Sequence, residues 1–175
     1  IRCGKDPVYF IKNYTRISHP VRGIIPFDTY DFQDRCVQEF EEHRLNIVLK
    51  SRQLGLSTIC AAYATWYAIF YKAKNILVIA TKLDTAINFI KKVKVILQSV
   101  PKWLLLANYE VNQRSVRFTN ESVITAVPTS DDAGRSEALS LLIVDEAAFI
   151  ANFETIWTGL YPTISTGGRV VVLST

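Results

Sequence analysis

The sequence predicts an α/β fold, a three-layer sandwich built around a mainly parallel central sheet. Four mostly apolar runs, Leu45–Leu49, Ile76–Ala80, Leu139–Val144 and Val170–Leu173, are short and rich in Val, Ile and Leu, as strands buried on both faces are. Helical stretches at about Ser57–Tyr71 and Leu83–Val100 follow the first two runs, the later one ended by Pro101. Strands alternating with helices imply right-handed crossovers, which cover a parallel sheet on both faces.

The remaining segments fill in around that frame. Residues 1–30 hold Pro7, Pro20 and Pro26 with glycines and aromatics between them, and are expected to form an N-terminal arm or irregular lead-in to a core spanning 31–175. Phe32, Cys36, Val37 and Phe40 recur at helical spacing, predicting an amphipathic helix over Asp31–His43. Ser115–Phe118 and Val123–Ala126 alternate in hydrophobicity around the polar pair Asn120-Glu121, as a hairpin does.

Composition narrows the function classes. With 175 residues, 49% of them hydrophobic, the chain suits one domain with a sizeable core and is too short for two ordinary ones. The net charge of +4, from 20 basic and 16 acidic residues, permits contact with nucleic acid without arguing for it. Cys3, Cys36 and Cys60 are odd in number, far apart and without a CxxC pair, which disfavours a disulfide framework and a zinc site alike. The most apolar stretch, Ile59–Tyr71, is shorter than the roughly 20 residues of a membrane helix, so no membrane role is expected. Methionine is absent throughout, and the chain ends at Leu173-Ser174-Thr175, directly after the apolar run Val170-Val171-Val172, so a fragment of a longer protein is expected.

The chemistry begins where the first strand ends. A phosphate-binding loop of the form GxxxxGK[ST] sits between a buried strand and a helix, where backbone N–H groups cradle phosphates, a lysine neutralises them and a hydroxyl binds Mg²⁺. Here Lys50-Ser51-Arg52-Gln53-Leu54-Gly55-Leu56-Ser57-Thr58 occupies that place, with Lys50 where the first glycine belongs and Leu56 where the lysine belongs. A lysine rooted at the strand end can reach the same phosphates from the other side, which makes Lys50 the replacement. The plain alternative is an ordinary strand-end lysine. Ser57 is the candidate Mg²⁺ ligand and Thr58 a support, although either hydroxyl could simply cap the helix. Arg52, inside the loop, could hold γ-phosphate oxygens bidentately or be a solvated loop arginine. Gln53 is a weaker candidate.

A second motif strengthens the first. Leu141-Leu142-Ile143-Val144-Asp145-Glu146 is an apolar strand ending in two acids, the Walker B arrangement. Asp145 is placed to hold Mg²⁺ or its water, and Glu146 to orient or deprotonate an attacking water. Together the two motifs specify a P-loop NTPase of the ASCE, RecA-like kind that hydrolyses its nucleotide. Gln33, beside Phe27, Tyr30 and Phe32, offers a carboxamide able to read the N6/N7 edge of adenine, which points to ATP, against the alternative of a solvated helix glutamine. Arg135, on the polar loop ahead of the acids, could act as a finger on a neighbouring subunit's γ-phosphate or be simply solvated.

The chain resembles the large terminase subunits that package DNA in tailed bacteriophages. The resemblance runs from Cys3-Gly4-Lys5-Asp6-Pro7-Val8-Tyr9-Phe10 and Ile24-Ile25-Pro26-Phe27 through Tyr30-Asp31-Phe32-Gln33, Ser51-Arg52-Gln53-Leu54-Gly55 and Val144-Asp145-Glu146-Ala147-Ala148-Phe149 to Leu173-Ser174-Thr175. It implies an ATPase domain that drives double-stranded DNA into a procapsid in the host cytoplasm. It also implies a homo-oligomeric ring on the portal protein, a small terminase subunit as partner and a nuclease domain beyond residue 175. By the same resemblance Gln33 recognises adenine, residues 50–58 hold phosphate, Ser57 and Asp145 bind Mg²⁺, and Glu146 activates water. Arg52 and Arg135 match catalytic arginines, the latter acting in trans in some members, and Ser174 and Thr175 match the motif that couples hydrolysis to movement. Two other readings stay open on sequence: a helicase-like nucleic-acid remodeller, and a non-hydrolysing P-loop scaffold.

Overall fold

A computed structural model describes residues 1–129 and 138–175. Its centre is a seven-stranded sheet of order β3-β9-β8-β4-β7-β6-β5. The strands are β3 (Leu45–Leu49), β4 (Asn75–Ala80), β5 (Tyr109–Val111), β6 (Ser115–Phe118), β7 (Val123–Pro128), β8 (Leu141–Val144) and β9 (Arg169–Ser174). From β3 to β7 every neighbouring pair is parallel, and β7, β6 and β5 continue as an antiparallel meander. The expected hairpin at 115–126 is present; β5 has no counterpart in the sequence expectation.

Alternation along the strands makes two cores. Ile76, Val78, Leu141, Ile143, Val171 and Leu173 face α4 (Leu56–Phe70) and α5 (Leu83–Ser99). Leu77, Ile79, Leu142, Val144, Val170 and Val172 face the opposite way, onto Ile156, Leu160 and Ile164 of α6 (Phe153–Ile164). A strand whose both sides are covered needs apolar residues at every position, which is why these runs are continuous rather than alternating. The result is the three-layer P-loop NTPase architecture.

β3 corrects the expectation of strands buried on both faces. It lies at the sheet edge, pairs only with β9 among the described strands, and leaves Leu45, Ile47 and Leu49 exposed, Ile47 at 83%. An apolar run alone cannot tell an edge strand from a central one, because order in the sheet is set by crossovers.

The first thirty residues, expected as an arm or irregular lead-in, are also corrected. They form α1 (Arg2–Lys5), α2 (Pro7–Tyr14) and an antiparallel hairpin of β1 (Arg16–His19) and β2 (Gly23–Pro26). Asp6 caps α2 by accepting the Tyr9 N–H at 2.8 Å, and Pro7 takes the first helical position, where its missing N–H costs nothing. Gly23, with φ of +70°, turns the hairpin. The reason for this order is α4, which is apolar all round, with Ile59, Ala62, Tyr63 and Trp66 each at 0% exposure. Such a helix must be covered on every side. The sheet and α5 cover part of it, while α2 and α3 (Asp31–Glu42) cover the rest; Phe10 packs edge-on against Phe70, and Trp66 Nε1 donates to the Cys3 carbonyl at 2.7 Å. No helix among the described residues is long and apolar enough to cross a membrane.

Candidate functional site

Strand order decides which residues meet. Because β9 lies between β3 and β8, residues 50, 174 and 145 stand at neighbouring carboxyl ends. The Lys50 N–H donates to the Ser174 carbonyl at 2.8 Å, and Ser174 Oγ accepts the Ala148 N–H at 3.1 Å. Ser174 thus ties the loop after β3 to the 3₁₀ turn Ala147–Phe149 that follows the two acids. Thr175 is exposed beside it.

The loop itself is shaped by backbone geometry. Gln53 and Gly55 both have positive φ, +64° and +71°, and Gly55 caps the start of α4. A Cβ at residue 55 would sit 2.8 Å from Gln33 Nε2, so a side chain here is strained by the left-handed backbone and would have to displace the Gln33 amide. Gln33, only 3% exposed, donates from Nε2 to the Leu54 carbonyl at 2.8 Å and accepts the Tyr30 N–H on Oε1 at 3.1 Å. It therefore braces the loop against the start of α3. Ser51, Arg52 and Leu54 are exposed, and Lys50, Ser57 and Thr58 are partly buried. Leu56 is 3% exposed and belongs to the core, so the position where the motif expects a lysine points an apolar side chain inward.

Of the cavities at the first turn of α4, two are lined by the candidate residues Gln33 and Ser57. The larger, about 410 Å³, opens between the β1–β2 hairpin, the start of α3 and the loop; His19, Arg22, Thr29, Tyr30, Gln33 and Gly55 are among its lining residues. The exposed Tyr30 ring at its edge stacks on Phe32 at 5.7 Å between centroids. Sequence reasoning missed His19, Arg22 and Thr29. The alternation of Arg16–Pro26 around Gly23 was the available signal, and the prolines obscured it.

The smaller cavity, about 210 Å³, collects Ser57, Thr85, Asn88, Lys92, Asp145 and Glu146. Asp145 is 6% exposed, and its Oδ1 has no hydrogen-bond partner among the described residues. A buried carboxylate oxygen without a partner is costly unless a cation compensates it. With the Ser57 hydroxyl on the same wall, the donors are hard oxygens, the set that suits Mg²⁺. Glu146 sits in the left-handed region, φ 57° and ψ 43°, and its Oε2 accepts the Thr81 hydroxyl at 3.3 Å. Strained backbone of this kind recurs where a side chain is held for function.

Lys92 and Thr81 are further residues the sequence reading did not single out. Burial pushes the Lys92 ammonium below the usual lysine range against the opposing pull of Asp145, and the charge of Lys50 adds to the lowering. Desolvation likewise raises the thiol of the fully buried Cys60, consistent with an inert core cysteine. Arg135 lies outside the described residues. The structure thus brings Ser57, Asp145 and Glu146 to one cavity and Gln33 and Gly55 to its neighbour, while Lys50 and the exposed Arg52 line neither.

The chain matches the family described as terminase large subunit, T4likevirus-type, N-terminal, over residues 47–175. Its fold is similar to that of the HK97 bacteriophage large terminase, with a TM-score of 0.76 and 14% identity over 98% of this chain and 37% of that one. The large terminase ATPase domain of Thermus phage P74-26 gives a TM-score of 0.64 and 21% identity over 75% of this chain and 59% of that one. The large terminase of the thermophilic bacteriophage D6E in complex with ADP gives 0.66 and 13% over 83% and 38%. At these identities the structural likeness speaks to the fold, and this chain spans well under two thirds of each of those chains. The family match covers more than half of the sequence and both motifs, and the chain therefore belongs to the T4likevirus-type terminase large subunits, in their N-terminal part.

Proposed function

We propose that this chain is the ATPase of a DNA-packaging motor, hydrolysing ATP to drive double-stranded viral DNA into a procapsid. The observation that carries the reading is the cavity shared by Ser57, the orphaned Asp145 carboxylate and Glu146 beside a phosphate-binding loop. Family membership and the ADP-bound D6E neighbour support the nucleotide.

In this reading the adenine lies in the larger cavity near Tyr30 and Gln33, and the phosphates lie along residues 50–58 toward the smaller one. Ser57 and Asp145 would hold Mg²⁺, which when bound offsets the charge of the β- and γ-phosphates. Glu146 accepts a proton from the attacking water, with Thr81 fixing one of its oxygens. Lys50 and Arg52 neutralise phosphate oxygens from the loop, and Gln53 and Leu54 contribute backbone. Arg135 completes the charge stabilisation in trans from a neighbouring subunit. Ser174 and Thr175 couple the site to movement, the former through its joint contact with both motifs. The partners of the reading are double-stranded DNA, the portal protein, the small terminase subunit and further copies in a ring, working in the host cytoplasm.

The test is ATP turnover by the protein with portal and DNA. Glu146→Gln is expected to lower turnover by about 10²–10⁴-fold while nucleotide binding persists. Full activity of Lys50→Ala would reject the role of Lys50 and leave the motor reading intact. Specific activity that does not rise with protein concentration, where subunits associate, would reject Arg135 as a trans-acting finger.

A further inference from the structure

Position 56 supplies no charge, yet a lysine from another element lines the cavity beside the next residue, Ser57. On α5 the residues Thr85, Asn88 and Lys92 follow the i, i+3, i+7 spacing of one helix face and line the smaller cavity together with Ser57, Asp145 and Glu146. Lys92 also lines a separate cavity of about 480 Å³ with Thr58, Lys91 and Lys94, so its side chain lies in the wall between the first turn of α4 and open space. It is the one lysine that lines the smaller cavity among the described residues. Lys92 is half-buried, and no ion pair or hydrogen bond fixes its ammonium among the described residues. A partly desolvated ammonium without a fixed partner lowers stability, and a site that retains one gains when an anion arrives.

We propose that Lys92, delivered from α5, is the phosphate-binding lysine that position 56 lacks, contacting the terminal phosphate oxygens of a nucleoside triphosphate alongside Lys50. The inference rests on the nucleotide reading of the cavity and goes beyond it by naming a residue outside both motifs. A lysine is a point charge on a flexible stem and needs no fixed root, so a helix across the cavity serves as well as the loop. Lys50 is rooted at the end of β3 and Lys92 on α5, so the two would bring positive charge to the phosphates from two different elements. Lys91 and Lys94, on the exposed side of α5, have no such role.

The experiment measures equilibrium binding of Mg-ADP and Mg-ATPγS to the protein, with thermal unfolding of each variant without nucleotide as the control for folding. Lys92→Met is expected to unfold at the same or a higher temperature than the parent, to weaken Mg-ATPγS binding about 10- to 100-fold, the usual loss for a charge-assisted contact, and to weaken Mg-ADP less. Lys92→Arg should recover most of the affinity, and Lys94→Met should keep all of it. Unchanged affinity in Lys92→Met would overturn the inference and leave the nucleotide reading standing. A lowered unfolding temperature together with tighter Mg²⁺ binding would also overturn it, because Lys92 would then only balance Asp145 and Glu146. No binding by the parent protein would overturn the nucleotide reading itself, and this inference with it.

Discussion

Gly55 and Gln33 are in mutual contact across the loop: a Cβ on Gly55 would sit 2.8 Å from the Gln33 amide nitrogen, which itself donates to the Leu54 carbonyl. The glycine that the phosphate loop needs for its left-handed turn is therefore also the glycine that lets the helix preceding β3 brace the loop. Gly55→Ala is expected to cost about 1–2 kcal/mol from the left-handed backbone and to push the Gln33 amide off Leu54. Urea unfolding reports the first effect and nucleotide affinity the second. An unchanged midpoint would show that the loop relaxes without strain.

The orphaned oxygen of Asp145 separates a structural from a cation-binding role. Without Mg²⁺, Asp145→Asn should be as stable as the parent or more so, since a desolvated carboxylate is replaced by a neutral amide. With nucleotide present, the rise in unfolding temperature that Mg²⁺ produces in the parent should vanish in the variant. A loss of stability already present without Mg²⁺ would make Asp145 structural.

Glu146 should separate binding from turnover. Glu146→Gln keeps the shape and the Thr81 contact but removes the base, so turnover is expected to fall by about 10²–10⁴-fold while nucleotide affinity stays close to that of the parent. Comparing single-turnover rates with equilibrium binding checks both halves. A variant that loses affinity in proportion to turnover would show Glu146 acting in nucleotide binding instead.

One buried indole, Trp66, ties the first residues to α4. Trp66→Phe removes the donor to the Cys3 carbonyl and part of the volume beneath α1, with an expected cost of about 2–4 kcal/mol. Limited proteolysis should then cut within residues 1–14 before the rest of the chain. Equal protection in parent and variant would mean that α2 alone, through Phe10 and Phe70, holds the segment in place.

Much of this was legible in the chain. The central strands β4, β8 and β9, the long helices α4 and α5, and the hairpin of β6 and β7 follow from apolar runs and periodicity, because burial on both faces or one leaves a direct mark on residue type. The loop at 50–58 and the acids at 145 and 146 stood out in the chain because each directly follows an apolar run, and the structure places both at the carboxyl ends of parallel strands. The order of the first thirty residues was not. Their prolines read as breaks, whereas Pro7 opens α2 and Pro26 ends β2. The clue lay elsewhere, in the uniformly apolar α4 that required a cover.

The sequence by itself determined the α/β class and nominated Ser57, Asp145 and Glu146 as candidates, since these are readings of local composition and spacing. Tertiary structure alone decided that β3 lies at the edge, that Ser174 bridges the two motifs, that the N-terminal hairpin walls one cavity and that Lys92 walls the other. The physical reason is the same in each case. Contacts between segments distant in the chain depend on crossover topology and packing, and neither leaves a periodic trace along the chain.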